Sequence, residues 1–579
     1  MKKILCILAL ALTLVGCGEM FSSSDDEYRI IAVRQDADDD DREVNVLTSP
    51  IVSDPSNDPY TVENMTKALR ISLSAKETLS KADVDQMTLE PNYLYVKFLA
   101  EGREGIARLK AHDTALTLFK HPLDYKDIQK PVVYRDPTLP DTVFPFFATV
   151  PVGYDFGPTK YEVIKELFLV EPLDGDCDEE ECDEEEGRDL VAAASKKAAR
   201  KLFRSTEDKL KSVGLSLRDV EMESLRMTGN LDARMEPNRP TGGVGTTAKW
   251  TLFGKGKKLG GQLKFMDDQL GEQPLVGVRV TGGYSYYWRT THTDKDGKFK
   301  IPERWNFSID YEANFDSEDF LLENGHSPYG EDLEIEKNDK YSDWKETFTG
   351  SRAKWCVVWT AAYQYWYGDN YGLKRPRQNE WWNWSLDIEV YYRNKSDYKS
   401  NYKKGTSGDY KIRVGTESIG ILATDELSHF IYGTTIHEIS HSSQYWNMKT
   451  TEALLPQIQE YIDLPDRYKE TYARGVENYF LAKRYGQGYR RTDYDTTYTG
   501  LVDDLQDNDN GSDCKNTKNI KHKDAVSGIP MKNIETAFFN NKNFKSFKKY
   551  LKSKNLSGEN GVKYTANDMD DLFACWGLE

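Results

Sequence analysis

Residues Thr434 to His441 read Thr-Thr-Ile-His-Glu-Ile-Ser-His, and no charged residue stands beside the His-Glu-x-x-His core or in its two variable positions. On an α-helix, side chains four apart share a face. His437 and His441 therefore present two imidazoles to one metal ion. Glu438 sits beside the pair, where a carboxylate can take a proton from metal-bound water. This spacing points to hydrolytic zinc chemistry. Tyr432, Ile436, Ile439 and Tyr445 give the segment the apolar character of a buried helix. Buried imidazoles and carboxylates need partners, and a metal supplies one. With only eight histidines in 579 residues, the pairing is not a by-product of a His-rich chain.

Hydrolytic zinc sites use three protein ligands and keep a position for water. An extended His-x-x-Gly-x-x-His form needs Gly at 444 and His at 447; Gln444 and Asn447 stand there instead. The remaining common donor is a Glu on a later helix. Pro465-Asp466 reads as a helix start. Tyr468, Tyr472, Val476, Tyr479 and Phe480 form an apolar stripe on the helix that follows. Glu470 and Glu477 lie seven apart on one face of it, and spacing alone allows either as ligand.

Glu470-Thr471-Tyr472-Ala473 resembles the Glu-x-x-Ala, with an aromatic third position, of the ligand helix in gluzincin metallopeptidases. The resemblance covers roughly Trp344 to Glu579, and its specific part is the two helices. It implies Glu470 as third ligand and leaves Glu477 to orient a ligand histidine or pair with Arg474. The family commonly has Asp four residues after the ligand Glu; Arg474 occupies that place. The family's transition-state donor is usually a downstream His or Tyr, and His522 and the tyrosines from Tyr485 to Tyr498 are the candidates.

Other elements must hold these helices. Ser351 to Trp366 reads as a buried helix. Leu386 to Val390 and Tyr410 to Val414 alternate like half-exposed strands. Helix, strands, then metal helix is an order similar to a zincin upper lobe, where an edge strand can take an extended peptide by main-chain hydrogen bonds. Trp355, Trp359, Trp366, Trp381, Trp382 and Trp384 suit core packing more than a cleft.

Lys2 and Lys3 precede an apolar run from Ile4 to Val15, which reads as a signal peptide. Leu14-Val15-Gly16-Cys17 resembles the bacterial lipobox, which implies cleavage before Cys17 and lipidation of its thiol. The acidic stretches at 25–27 and 36–41 read as a flexible tether. Acidic residues after a lipidated Cys resemble a surface-export signal, so the outer membrane or cell surface is the expected location. A formal net charge of −18 argues against nucleic-acid binding. Cys177, Cys182, Cys356, Cys514 and Cys575 remain beyond Cys6 and Cys17, an odd set that cannot all pair within one chain. Calcium has weak support, since neither the acidic run at 174–186 nor Asp507 to Gly511 carries full ligand spacing.

Pro274 to Val280 reads as a turn and strand, and Thr293 to Ile301 as a turn and the next strand. Trp250 to Gly325 resembles the small carboxypeptidase-regulatory or transthyretin-like β-sandwich, which implies a structural or adhesive role. The predicted fold is multidomain α+β. Its parts are a leader at 1–17, a tether at 18–65, an α+β region at 66–245, a sandwich at 246–330 and a gluzincin-like domain at 331–579. The expected activity is that of a lipid-anchored, extracytoplasmic zinc metallopeptidase, an endopeptidase acting on protein or peptide, with Glu438 as general base. The rival expectations are a surface binding or adhesion lipoprotein with a structural or inactive metal site, and a zinc hydrolase of a cell-wall amide.

Overall fold

The structure is a computed structural model. It describes residues 46–47, 58–74, 80–123, 133–170, 190–230, 257–324, 333–376, 386–391, 401–404, 410–415, 427–448, 463–507, 525–554 and 561–578, apart from a few gaps of one to three positions inside these ranges. The leader with Cys17, the tether apart from 46–47 and 58–65, and the acidic run with Cys177 and Cys182 lie outside the described residues. So do Cys514, His522, Trp381, Trp382, Trp384 and 508–511. Among the described residues, no helix is long and apolar enough to cross a membrane.

The chain is mixed α+β with several small sheets. Its first region contains α1 (Val62–Ser74), β1 (Tyr93–Glu101), α2 (Gly102–His112), β2 (Val143–Pro151), β3 (Lys160–Leu167), α3 (Leu190–Ser212) and α4 (Leu217–Met227). β1 lies between β2 and β3, antiparallel to both. Folded structure starts ahead of the predicted boundary at Thr66. Tyr60 is buried and its hydroxyl donates to Glu221 of α4 at 2.8 Å. Asp58 accepts from Lys165 at 2.9 Å and from the Tyr286 hydroxyl at 2.7 Å. A buried carboxylate needs such partners, and these tie the first region to the next.

The second region has β4 (Gly260–Asp267), β5 (Gly271–Pro274), β6 (Arg279–Tyr284), β7 (Tyr287–His292), β8 (Lys298–Lys300), β9 (Ile309–Asn314), β10 (Phe320–Asn324), β11 (Glu334–Lys340) and β12 (Trp344–Phe348). One sheet joins β8, β4 and β12, with β5 also on β4; the other runs β11-β9-β6-β7. Tyr311 of the second sheet meets Phe299 and Trp344 of the first at 5.9 and 5.8 Å between ring centres, so aromatic side chains fill the space between the sheets. The turn before β8 is as expected: the Gly297 amide donates to the Asp294 carbonyl at 2.9 Å. Pro274 to Val280 is a turn leading into a strand, as expected, with the strand starting at Arg279. The turn includes Gly277 (φ 74°), where an added Cβ would stand 1.9 Å from the Tyr363 ring.

The boundary expected at 330/331 does not hold. β11 and β12 lie beyond it yet belong to these two sheets, while β10 lies before it and joins the next sheet. That sheet runs β10, β13 (Leu386–Tyr391), β15 (Tyr410–Gly415) and β14 (Asn401–Lys404). Its first three strands are parallel, and β14 is an antiparallel edge. Central parallel strands are covered on both faces. β13 is accordingly buried from Leu386 to Val390, Asp387 and Glu389 included, and is not the half-exposed strand its alternation predicted.

Helix α5 (Gly350–Trp366) joins the two regions. Trp359 donates to the Val276 carbonyl at 2.9 Å and packs on Phe315 and Phe320. On its other side, Tyr365 stacks on Phe480 at 5.6 Å. One continuous apolar core runs from Tyr60 through the two sheets to Trp576.

Candidate metal centre

The motif lies on α6 (Ser428–Asn447), and the later Glu residues on α7 (Asp466–Arg484). α7 starts after Pro465, whose missing N–H costs nothing at a helix start. The two helices pack side by side because both are buried nearly all round. Ile436, Ile439, Tyr468, Tyr472, Val476 and Phe480 are each fully buried, while Tyr479 is partly exposed. Gly433, one turn before His437, makes the approach possible: a Cβ there would lie 2.9 Å from Glu477 Oε1 and 3.0 Å from Leu481.

His437 Nε2 lies 3.0 Å from Glu470 Oε2 and 3.1 Å from His441 Nε2, and His441 Nε2 lies 3.4 Å from Glu470 Oε1. These three residues form a group able to hold a metal ion, with all ligand atoms within 4.8 Å of one another. The donor set fits. Ligands bonded at about 2.0–2.1 Å in a tetrahedral shell stand roughly 3.3 Å apart, which is the spacing seen here. Three donors leave a fourth position. Glu470 is the most open of the three, its side chain 24% exposed against 9% and 8% for His437 and His441.

The second Glu does a different job. Glu477 Oε2 lies 3.1 Å from His437 Nδ1, on the side of the ring away from Glu470. In the neutral ring, which a metal would require, Nδ1–H donation to this carboxylate leaves Nε2 as a lone pair aimed at the group's centre. Glu477 is fully buried and also meets Arg491 Nε at 3.0 Å and Arg474 Nε at 3.4 Å. It is thus placed behind a histidine, and not among the converging donors. Arg474 pairs with Glu477 and with Asp493, the latter at 2.9 Å.

Burial opposes a charged His437, but hydrogen bonds to Glu470 and Glu477 outweigh it and raise its pKa to about 9. Burial lowers His441 despite Glu470. Burial works against an ionised Glu470, yet hydrogen bonds from both histidines hold it well below the usual carboxylate range. Glu477 resists the same penalty through Arg491 and His437 and sits at about 2. Glu438 is buried and near enough for its charge to raise His437.

Among the described candidate donors, Tyr498 stands nearest the group. Its ring centre is 6.1 Å from that of His437, and the Arg474 guanidinium lies 4.2 Å above it. Tyr485 and Tyr489 turn to Asp267 and Gln269, and Tyr494 to Asp503. Cys356 is a buried free thiol and Cys575 is disulfide-bonded. Arg491 escaped the sequence reading: a basic residue in a loop has no spacing signal to mark it.

No protein-family model, no curated protein and no solved structure matches the chain.

Proposed function

We propose that this chain is a zinc-dependent metallopeptidase of gluzincin type, held outside the cytoplasm by a lipid on Cys17 at the outer membrane or cell surface. The observation that carries the reading is the convergence of His437, His441 and Glu470 beside Glu438. Zinc, when bound, lowers the pKa of water and polarises a substrate carbonyl. Glu438 takes the proton from the attacking water and delivers it to the leaving amine. Tyr498, backed by Arg474, is the side chain suited to donate to the oxygen that gains charge. Glu477 keeps His437 in the tautomer that offers Nε2 to the metal.

A peptide substrate suits the edge strand β14. Among the described residues it has β15 on one side only, and α6 packs against both strands. An unpaired strand edge offers main-chain donors and acceptors to an extended peptide and so supports cleavage within a chain with loose sequence preference. The facing sheets upstream, read as a carboxypeptidase-regulatory-like sandwich, act as a brace for the site.

The test is turnover of an unfolded protein by the zinc-loaded chain, with and without chelator, beside isolated cell wall. Chelator-sensitive cleavage of the protein supports the peptidase. Release of cell-wall amine alone moves the reading to an amidase, and no turnover of either by the zinc-loaded chain contradicts it.

A further inference from the structure

Arg491 stands where the metal helix, the Glu470 helix and the upstream sheets meet. Its Nε lies 3.0 Å from Glu477 Oε1, an ion pair whose N–H does not point straight at the oxygen. Its Nη2 donates to Thr434 Oγ1 at 3.1 Å and to the Phe430 carbonyl at 3.3 Å, both on α6. The guanidinium also covers the Phe430 ring at 4.9 Å. One side chain thus ties Glu477 on α7 to the turn of α6 just before His437.

The backbone of Arg491 is held as firmly. Its N–H donates to Asn478 Oδ1 at 2.7 Å, and its carbonyl accepts from Asn478 Nδ2 at 3.0 Å. Just upstream, the Tyr485 hydroxyl donates to Asp267 at 2.8 Å and the Tyr489 hydroxyl to Gln269 at 2.8 Å. Both acceptors lie at the β4–β5 turn. The same turn caps α6: Asp268 accepts from the Ser428 amide at 3.0 Å and returns a bond from its own amide to Ser428 Oγ at 3.2 Å. A carboxylate at a helix N-terminus is favourably placed.

We propose that Arg491 is a positioning residue for the metal group, with the β4–β5 turn as its outer anchor. It holds Glu477 so that Oε2 stays on His437 Nδ1, and in this way it sets how tightly His437, His441 and Glu470 hold a metal. The inference rests on reading that trio as a metal site. A fully buried carboxylate keeps its place only while its charge is matched. Here Arg491 draws on Oε1 and leaves Oε2 for the histidine. Without Arg491 the remaining cation is Arg474, which sits on Oε2 and competes for the oxygen His437 uses. Loss of an outer partner of this kind weakens metal binding by roughly 10- to 100-fold.

The experiment measures zinc affinity by competition with a chromogenic chelator in wild type, Arg491→Met, Glu477→Gln and the double variant. Thermal melts check folding. Arg491→Met is expected to weaken zinc within the range above and to change the visible spectrum of the cobalt-substituted protein, with Arg491→Lys restoring part of both. The double variant is expected to bind no worse than Glu477→Gln, because Arg491 acts through that carboxylate. Zinc affinity unchanged in Arg491→Met, or losses that multiply in the double variant, would overturn the inference. If Arg491→Met does not fold, the same cycle run with Arg491→Lys has the same two outcomes. A wild type that binds no zinc defeats the metal reading and this inference together. A wild type that binds zinc, beside an Arg491→Met that binds it equally, defeats this inference alone.

Discussion

His437 Nδ1 and Glu477 Oε2 face each other at 3.1 Å, while the other nitrogen of the same ring lies 3.0 Å from Glu470 Oε2. One imidazole is thus gripped at both ends by carboxylates with separate tasks. Replacing them should therefore give different results. Glu470→Ala is expected to leave the protein without metal after gel filtration. Glu477→Gln should keep the site but bind roughly 10- to 100-fold more weakly. Metal analysis of the eluted fractions separates the two, and the reverse order would exchange the roles.

Glu438 is the base of the proposed reaction and is not one of the converging donors. Glu438→Gln should retain zinc at one per chain and lose about 10²- to 10⁴-fold in turnover, the usual worth of a positioned acid–base group. His441→Ala should lose both. Full activity in the Glu438 variant would rule out its part as base.

Glu535, which is not part of the His437, His441 and Glu470 group, gives the fold a pH dependence. It accepts from the Lys374 amide at 3.0 and 3.1 Å and from the Tyr472 hydroxyl at 3.0 Å. Burial outweighs these bonds and raises its pKa from 4.5 to about 7. A folded-state pKa above the unfolded one means that the protonated form stabilises the fold. That contribution is fully present below pH 4.5 and is lost as pH rises through about 7. At about 1.4 kcal/mol per pH unit, the swing is roughly 3 kcal/mol. Denaturant titrations at pH 5 and 8 should show the wild type losing more stability over this range than Glu535→Gln.

Gln444 follows His441 by three residues on α6, is fully buried, and neither polar atom of its amide has a hydrogen-bond partner among the described residues. An unpaired buried amide costs about 1–3 kcal/mol. Gln444→Met keeps the shape without the polar atoms and should raise the melting temperature by a few degrees. A lower melting temperature would mean that the amide is satisfied in solution.

The two helices of the site were legible because their signals are local. Four-residue spacing set His437 and His441 on one face, and Pro465-Asp466 marked where α7 starts. Spacing left Glu470 and Glu477 as equals, seven apart on one face; the gluzincin resemblance favoured Glu470, and the packing of α6 against α7 sets Glu470 among the converging groups and Glu477 behind His437. The exchange of β10, β11 and β12 between sheets left no mark, because a strand's sequence does not name its neighbour. The same limit hid the burial of Asp387 and Glu389, whose alternation reads alike at an edge and at a centre. Arg491 was beyond reach for a related reason, since its partners Glu477, Thr434 and Phe430 lie far from it in sequence.

The most direct test of an open, three-ligand metal site is zinc-edge X-ray absorption on the zinc-loaded chain before and after addition of a small thiol inhibitor. The expected first shell holds two imidazoles and two oxygens at about 2.0–2.1 Å, with one oxygen replaced by sulfur at about 2.3 Å when the thiol is added. A shell that does not take up sulfur, or a chain that retains no zinc, would contradict it.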